Sequence, residues 1–197
     1  MNKKMKLLGY YNYTVVLTYL GMISGFIGIT HAFKGNIDQA VICLMISGVC
    51  DMFDGTIAAT MDRSVQEKCF GIQIDSLSDL ICFGVLPAII VYSLNQSRIS
   101  LYISALYVLC ALIRLAYFNV EEQERQKETN EKREFYYGMP VTLSSLFLPL
   151  LYKLSGILSD KPGPVLMVTL LFMSGSFLSP CRIKKPKLSG TLRKERE

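Results

Sequence analysis

Six blocks of mostly apolar residues, each close to the roughly 20 that a bilayer-crossing helix requires, limit this chain to a membrane bundle. They run at about 14–33, 37–58, 72–94, 99–119, 138–158 and 162–180. Hydrophobic residues make up 51% of the 197, and they are gathered into these blocks instead of being scattered as in a soluble domain. Segments of this length satisfy their backbone hydrogen bonds internally only as helices. The expected fold is therefore an all-α integral membrane protein with six transmembrane helices over residues 1–181, followed by a basic tail over 182–197. Lys3, Lys4 and Lys6 resemble the start of a signal peptide, but the apolar run after them is too long and lacks a small-residue cleavage site. The first block is expected to stay.

Basic residues orient the bundle. Under a six-span count, both termini and the second and fourth connections share one side, and that side holds sixteen of the 21 Lys and Arg. Positive charge marks the cytoplasmic side. The connection at 59–71, and with it the inner ends of the second and third spans, is expected to face the cytoplasm.

Those two spans contain what apolar helices should not. Asp51-x-x-Asp54-Gly55-x-x-Ala58 is followed by Gly71-x-x-x-Asp75-x-x-x-Asp79. Insertion scales assign roughly 2.5 to 3.5 kcal/mol to an Asp at the centre of a spanning helix, so four of them imply a cost on the order of ten. Helix packing does not recover that cost, because lipid tails are already as apolar as a protein core. A divalent cation, water in a cavity, or a position near the membrane surface does offset it.

Helical phase turns the charges into a site. Positions 51, 54, 55 and 58 fall on one stripe, and positions 71, 75 and 79 form another. Carboxylate clusters suit Mg²⁺ or Mn²⁺, hard cations that complete their shells with water and substrate phosphate. Gly55, Ala58 and Gly71 leave space where a ligand approaches helix backbone. A phosphate-bearing lipid is the natural substrate class. Internal ion pairing is a poor alternative, since Arg63 and Lys68 lie in the connection and Arg114 alone cannot neutralise four acids. A cation pathway is the stronger rival, although clustering near one face favours catalysis.

Several other classes recede. The net charge of +5 is explained by basic tails beside anionic lipid, at about 1 kcal/mol per residue, and no nucleic-acid partner is expected. The run from Glu121 to Glu134 reads as a solvated connection, and the tail from Arg182 as flexible and membrane-skimming. Cys43, Cys50, Cys69, Cys82, Cys110 and Cys181 show no C-x-x-C spacing, which argues against zinc and a disulfide framework. His31, the single histidine, reads as structural.

The aspartate and glycine pattern resembles the signature of the CDP-alcohol phosphatidyltransferase family, integral membrane enzymes with six transmembrane helices. The text from Glu67 to Asp79, with Phe83-Gly84-Val85-Leu86-Pro87-Ala88, Arg114-Leu115-Ala116-Tyr117-Phe118-Asn119 and Gly138-Met139-Pro140-Val141-Thr142, is similar to its phosphatidylserine synthase branch. One departure stands out: the family usually carries Arg directly after the alanine, and this chain has Ala59. Arg63, one turn further if the helix continues, is the expected substitute, with Lys68 or Arg114 behind it.

The resemblance implies two divalent ions, Mg²⁺ or Mn²⁺, held mainly by Asp51, Asp54 and Asp75 and completed by Asp79. It implies CDP-diacylglycerol as donor, with Gly55, Ala58 and Gly71 walling the cytidine moiety. Asp79 is then the general base for the hydroxyl of L-serine, and phosphatidylserine and CMP are the products. Arg114, with Asn119 one to two turns on, is our candidate for the serine carboxylate; snorkelling of Arg114 to the headgroups is the competing reading. Tyr136-Tyr137-Gly138-Met139-Pro140 is expected either to line the same cavity or to anchor at the interface. A homodimer in a bacterial cell membrane, with membrane lipids around it, completes the expectation. Sister enzymes using glycerol 3-phosphate, inositol phosphate or choline remain alternatives, as does a cation transporter. Asp75-Ser-Leu-Ser-Asp79 lacks the proline and lysine common in the glycerophosphate branch.

Overall fold

The computed structural model describes residues 9–58, 60–61, 63–128, 135–158, 162–180 and 182–184. Lys3, Lys4, Lys6, Ala59, Cys181, the end of the charged connection at 129–134 and tail residues 185–197 lie outside the described residues. The elements are α1 (Val16–Phe33), α2 (Ile37–Ala58), α3 (Val65–Asp79), α4 (Leu86–Leu94), α5 (Arg98–Glu128), α6 (Ser144–Leu158) and α7 (Pro162–Phe177). A π-helical turn, Leu80–Val85, joins α3 to α4 without a break, so the six apolar blocks become six rods. Four of these, Val16–Phe33, Ile37–Ala58, Val65–Leu94 and Arg98–Glu124, are long and apolar enough to cross a membrane. The last two rods are apolar but shorter, at 15 and 16 residues.

The helical fold has one small addition. Two three-residue strands, β1 (Phe135–Tyr137) and β2 (Arg182–Lys184), pair antiparallel with Tyr136 opposite Ile183. The first residues of the expected tail are thus held by the connection after α5.

The third rod starts earlier than hydropathy implies, at Val65 and not at 72. Ser64 caps it: its hydroxyl accepts from the Glu67 amide at 3.2 Å, while the Ser64 amide donates to Glu67 Oε2 at 2.9 Å. This reciprocal capping box fixes a helix start through two polar side chains, which an apolar count passes over. The link between the two aspartate-bearing rods is therefore only residues 59–64.

Packing turns on α1. Thr18, Gly21, Gly25, Gly28 and Ala32 are its buried residues, spaced by three and four along one face. A Cβ at Gly28 would lie 2.9 Å from both Cys43 Cβ on α2 and Leu86 Cδ2 on α4, and one at Gly25 would lie 2.7 Å from Cys82 Sγ. The first helix is wedged between α2 and the α3–α4 rod. Further along, Phe83, Leu86, Ile90, Tyr107, Leu170 and Phe177 fill the bundle interior. Phe26, Ile46, Val49, Leu109 and Phe172 remain exposed on the outside, as expected where the surrounding medium is itself apolar.

Gly28→Ala should destabilise the protein by roughly 1–3 kcal/mol through overpacking, lowering its thermal midpoint in detergent. Gly175→Ala, where a Cβ meets nothing within 4 Å, should leave the midpoint unchanged or raise it. Equal effects of the two substitutions would contradict the wedge.

Candidate active site

Asp51 and Asp54 occupy the last two turns of α2, and Asp75 and Asp79 the last two of α3. Because α3 runs back from the short link, the two stripes face each other. Asp51, Asp54 and Asp75 each present a carboxylate oxygen, all within 4.8 Å of one another. Asp79 is the most enclosed of the four, at 9% exposure, and its carboxyl meets that of Asp51 while Asp75 meets Asp54. Like charges this close repel unless a cation or proton lies between them. Three half-buried carboxylates from two helices are a hard-oxygen donor set of the size and chemistry that Mg²⁺ or Mn²⁺ takes, so the residues present fit such an ion.

The first helix supplies a third wall. Thr18 Oγ1 donates to Asp54 Oδ2 at 3.2 Å, and Leu17, Thr18 and Gly21 line the cleft together with Ser47, Cys50, Ser78 and Cys82. Ser47 and Cys82 both donate to the Gly21 carbonyl, at 2.9 and 3.4 Å, and Ser78 donates to the Thr18 carbonyl at 3.4 Å. Nothing in the aspartate pattern pointed to α1. Its only sequence sign was the run of small residues at helical spacing.

The cleft holds about 190 Å³ of empty space, its open mouth included. Beyond it the three small residues diverge. Gly55 is exposed, with nothing within 4 Å of a Cβ, and Ala58 is half-buried. Gly71 is covered: a Cβ there would lie 3.1 Å from Arg63 Nη1. Arg63 does not extend the α2 stripe, because α2 ends at Ala58. It lies over Gly71, one turn before Asp75. The start of α3 is also tied down from the N-terminal side, where Tyr10 donates to Gln66 Oε1 at 3.1 Å and packs edge-on against Phe70.

Arg114 and Asn119 both lie on α5. The Asn119 side chain accepts from Ser76 Oγ at 2.7 Å, which ties α5 to the residue next to Asp75. Arg114 is only 7% exposed. Its guanidinium stacks over the Phe118 ring at 5.6 Å, and its Nε would lie 3.4 Å from a Cβ at Gly138. Gly138 needs its φ of +70°, a conformation that glycine adopts without strain.

Residues 11–176 match the family model for CDP-alcohol phosphatidyltransferases. The chain belongs to the CDP-alcohol phosphatidyltransferase family. It is 30% identical over 177 residues to the archaetidylserine synthase of Methanothermobacter thermautotrophicus, an alignment covering 89% of this chain and 70% of that protein. It is 29% identical over 195 residues to the CDP-diacylglycerol–serine O-phosphatidyltransferase of Saccharomyces cerevisiae, covering 85% and 70%. With the enzyme of the same name from Helicobacter pylori it shares 32% over 142 residues, covering 70% and 54%. As a member of the CDP-alcohol phosphatidyltransferase family with four helices able to cross a bilayer, the protein is an integral membrane protein.

Thr18→Val should weaken Mn²⁺ binding by about tenfold, the lower range for loss of a hydrogen bond to a ligating carboxylate, as read by calorimetric titration of the detergent-solubilised protein. An unchanged affinity would remove α1 from the site.

Proposed function

We propose that the protein transfers the phosphatidyl group of CDP-diacylglycerol to the hydroxyl of L-serine, giving phosphatidylserine and CMP at the cytoplasmic face of a six-span membrane bundle. The observation that carries this reading is the convergence of Asp51, Asp54 and Asp75 within 4.8 Å, with Asp79 enclosed beside them. Relatives whose names specify serine products support the choice of acceptor. The bias of Lys and Arg toward one side supports the orientation. Assembly as a homodimer belongs to the same proposal.

Asp51, Asp54 and Asp75 would hold two divalent ions, with Asp79 completing the set. When bound, Mg²⁺ or Mn²⁺ supplies Lewis acidity to the pyrophosphate and neutralises charge on the departing CMP. Arg63, reaching over Gly71, binds a phosphate oxygen from the link side and takes the part usually played by an arginine at position 59. The nucleotide extends out of the narrow cleft across Gly55, where a side chain would stand in its path. Asp79 removes the proton from the serine hydroxyl, whose oxygen then forms a bond to the lipid-linked phosphorus as the bond to CMP breaks. Arg114 receives the serine carboxylate, held in place by Phe118 and the Gly138 turn. Asn119, through Ser76, sets the position of α3 against α5.

Release of CMP from CDP-diacylglycerol, measured with serine, glycerol 3-phosphate and inositol phosphate in turn, tests the reading. It should require Mn²⁺ or Mg²⁺ and serine; no CMP with any acceptor would overturn it, and preference for another acceptor would reassign the headgroup. Asp79→Asn should lower kcat by at least about 100-fold, as for loss of a general base, with the thermal midpoint preserved. For Arg114→Lys, which keeps charge but loses the planar fork, the serine KM should rise by about tenfold. An unchanged serine KM would remove Arg114 from the acceptor site.

A further inference from the structure

The residue after Asp79 begins the π-helical turn, Leu80–Val85. Such turns are rare, and each inserts one residue into an α-helix. At 3.6 residues per turn, one extra residue rotates everything downstream by about 100° relative to everything upstream. The rod therefore presents two different faces to its neighbours. Upstream, Ser78 and Asp79 are buried toward α1, with Ser78 bonded to the Thr18 carbonyl. Downstream, Leu86, Ile90 and Val91 fill the bundle core.

A π turn disturbs the normal pairing of carbonyls, and an unpaired carbonyl in an apolar interior is costly. Here two hydroxyls from two other elements converge on one carbonyl. Tyr107 on α5 donates to the Phe83 carbonyl at 2.8 Å, and Ser144 at the start of α6 donates to the same oxygen at 3.3 Å. Tyr107 and Ser144 are both fully buried, and Phe83 is 1% exposed. A phenol this deep in an apolar core, where Phe would pack equally well, calls for a reason beyond packing.

We propose that Tyr107 and Ser144 are positioning residues for phosphatidyl transfer: by bonding the Phe83 carbonyl they hold the π turn, and so the rotation of Asp75 and Asp79 toward Asp51 and Asp54. This rests on the function proposed above. Neither residue touches the aspartates. Both act through the single rod that carries two of them.

The test compares Tyr107→Phe, Ser144→Ala and the double variant with Ser104→Ala, which removes another buried hydroxyl-to-carbonyl bond, Ser104 Oγ to Ala88 O at 3.0 Å, outside the π turn. The double variant should lose about 100-fold in kcat, as for a displacement near 1 Å in the reacting groups, with the KM for serine and for CDP-diacylglycerol within about twofold of wild type. Its affinity for Mn²⁺ alone, read by electron paramagnetic resonance without substrate, should fall by about tenfold. Ser104→Ala should change neither. Retention of wild-type kcat and Mn²⁺ affinity by the double variant overturns the proposal, as does an equal loss in Ser104→Ala. If the double variant does not fold, Tyr107→Phe decides by the same two readouts. A wild-type protein that releases no CMP overturns the underlying function instead, and Mn²⁺ affinity then still decides whether Tyr107 and Ser144 position the carboxylates.

Discussion

The close approach of α1 to α2 and to the α3–α4 rod is the contact from which the rest of this structure follows. In a bilayer there is no hydrophobic gain from bringing helices together, so association rests on dispersion at short range and on hydrogen bonds between helices. Gly25 and Gly28 permit the first, because a side chain there would collide with Cys82, Cys43 or Leu86, and Gly21 adds a tight contact with Cys50. Short approach then permits the second. The carbonyls of Thr18 and Gly21 come within reach of Ser78, Ser47 and Cys82, which lie on both aspartate-bearing helices. One backbone thus sets the spacing of the two helices that carry the acids.

Given that spacing, the chemistry is constrained. Four carboxylates enclosed by three helices are unstable as charged neighbours unless a cation or proton lies between them, and no described basic side chain lies among those lining the cleft. Arg63 lies over Gly71, and Arg114 lies beside the Gly138 turn. Membership of the CDP-alcohol phosphatidyltransferase family agrees with a site built for phosphate and metal.

Much of this was legible in the sequence, for physical reasons. Apolar blocks near 20 residues long can only be helices in lipid, and aspartates at i, i+3 and i, i+4 must share a stripe. What stayed hidden depended on contacts between elements. Thr18 is one more hydroxyl on an apolar helix until α1 is known to pack on Asp54. Arg63 was expected to act by continuing α2, but the capping box at Ser64 starts a new helix instead, and the arginine arrives from another direction. The packing of Arg114 beside the Gly138 turn, which also meets the end of α7, is likewise a contact between elements distant in sequence. The π turn at Leu80–Val85 has no local signature of its own; the hydroxyls of Tyr107 and Ser144, distant in sequence, mark it.

The central claim is that α1 brings the acids of α2 and α3 around shared divalent cations. Anomalous scattering from crystals grown with Mn²⁺ tests it most directly. The account predicts anomalous peaks between Asp51, Asp54, Asp75 and Asp79, with oxygen atoms of the carboxylates at bonding distance. Crystals whose Mn²⁺ lies elsewhere, or in which the four carboxylates enclose no peak, would contradict it.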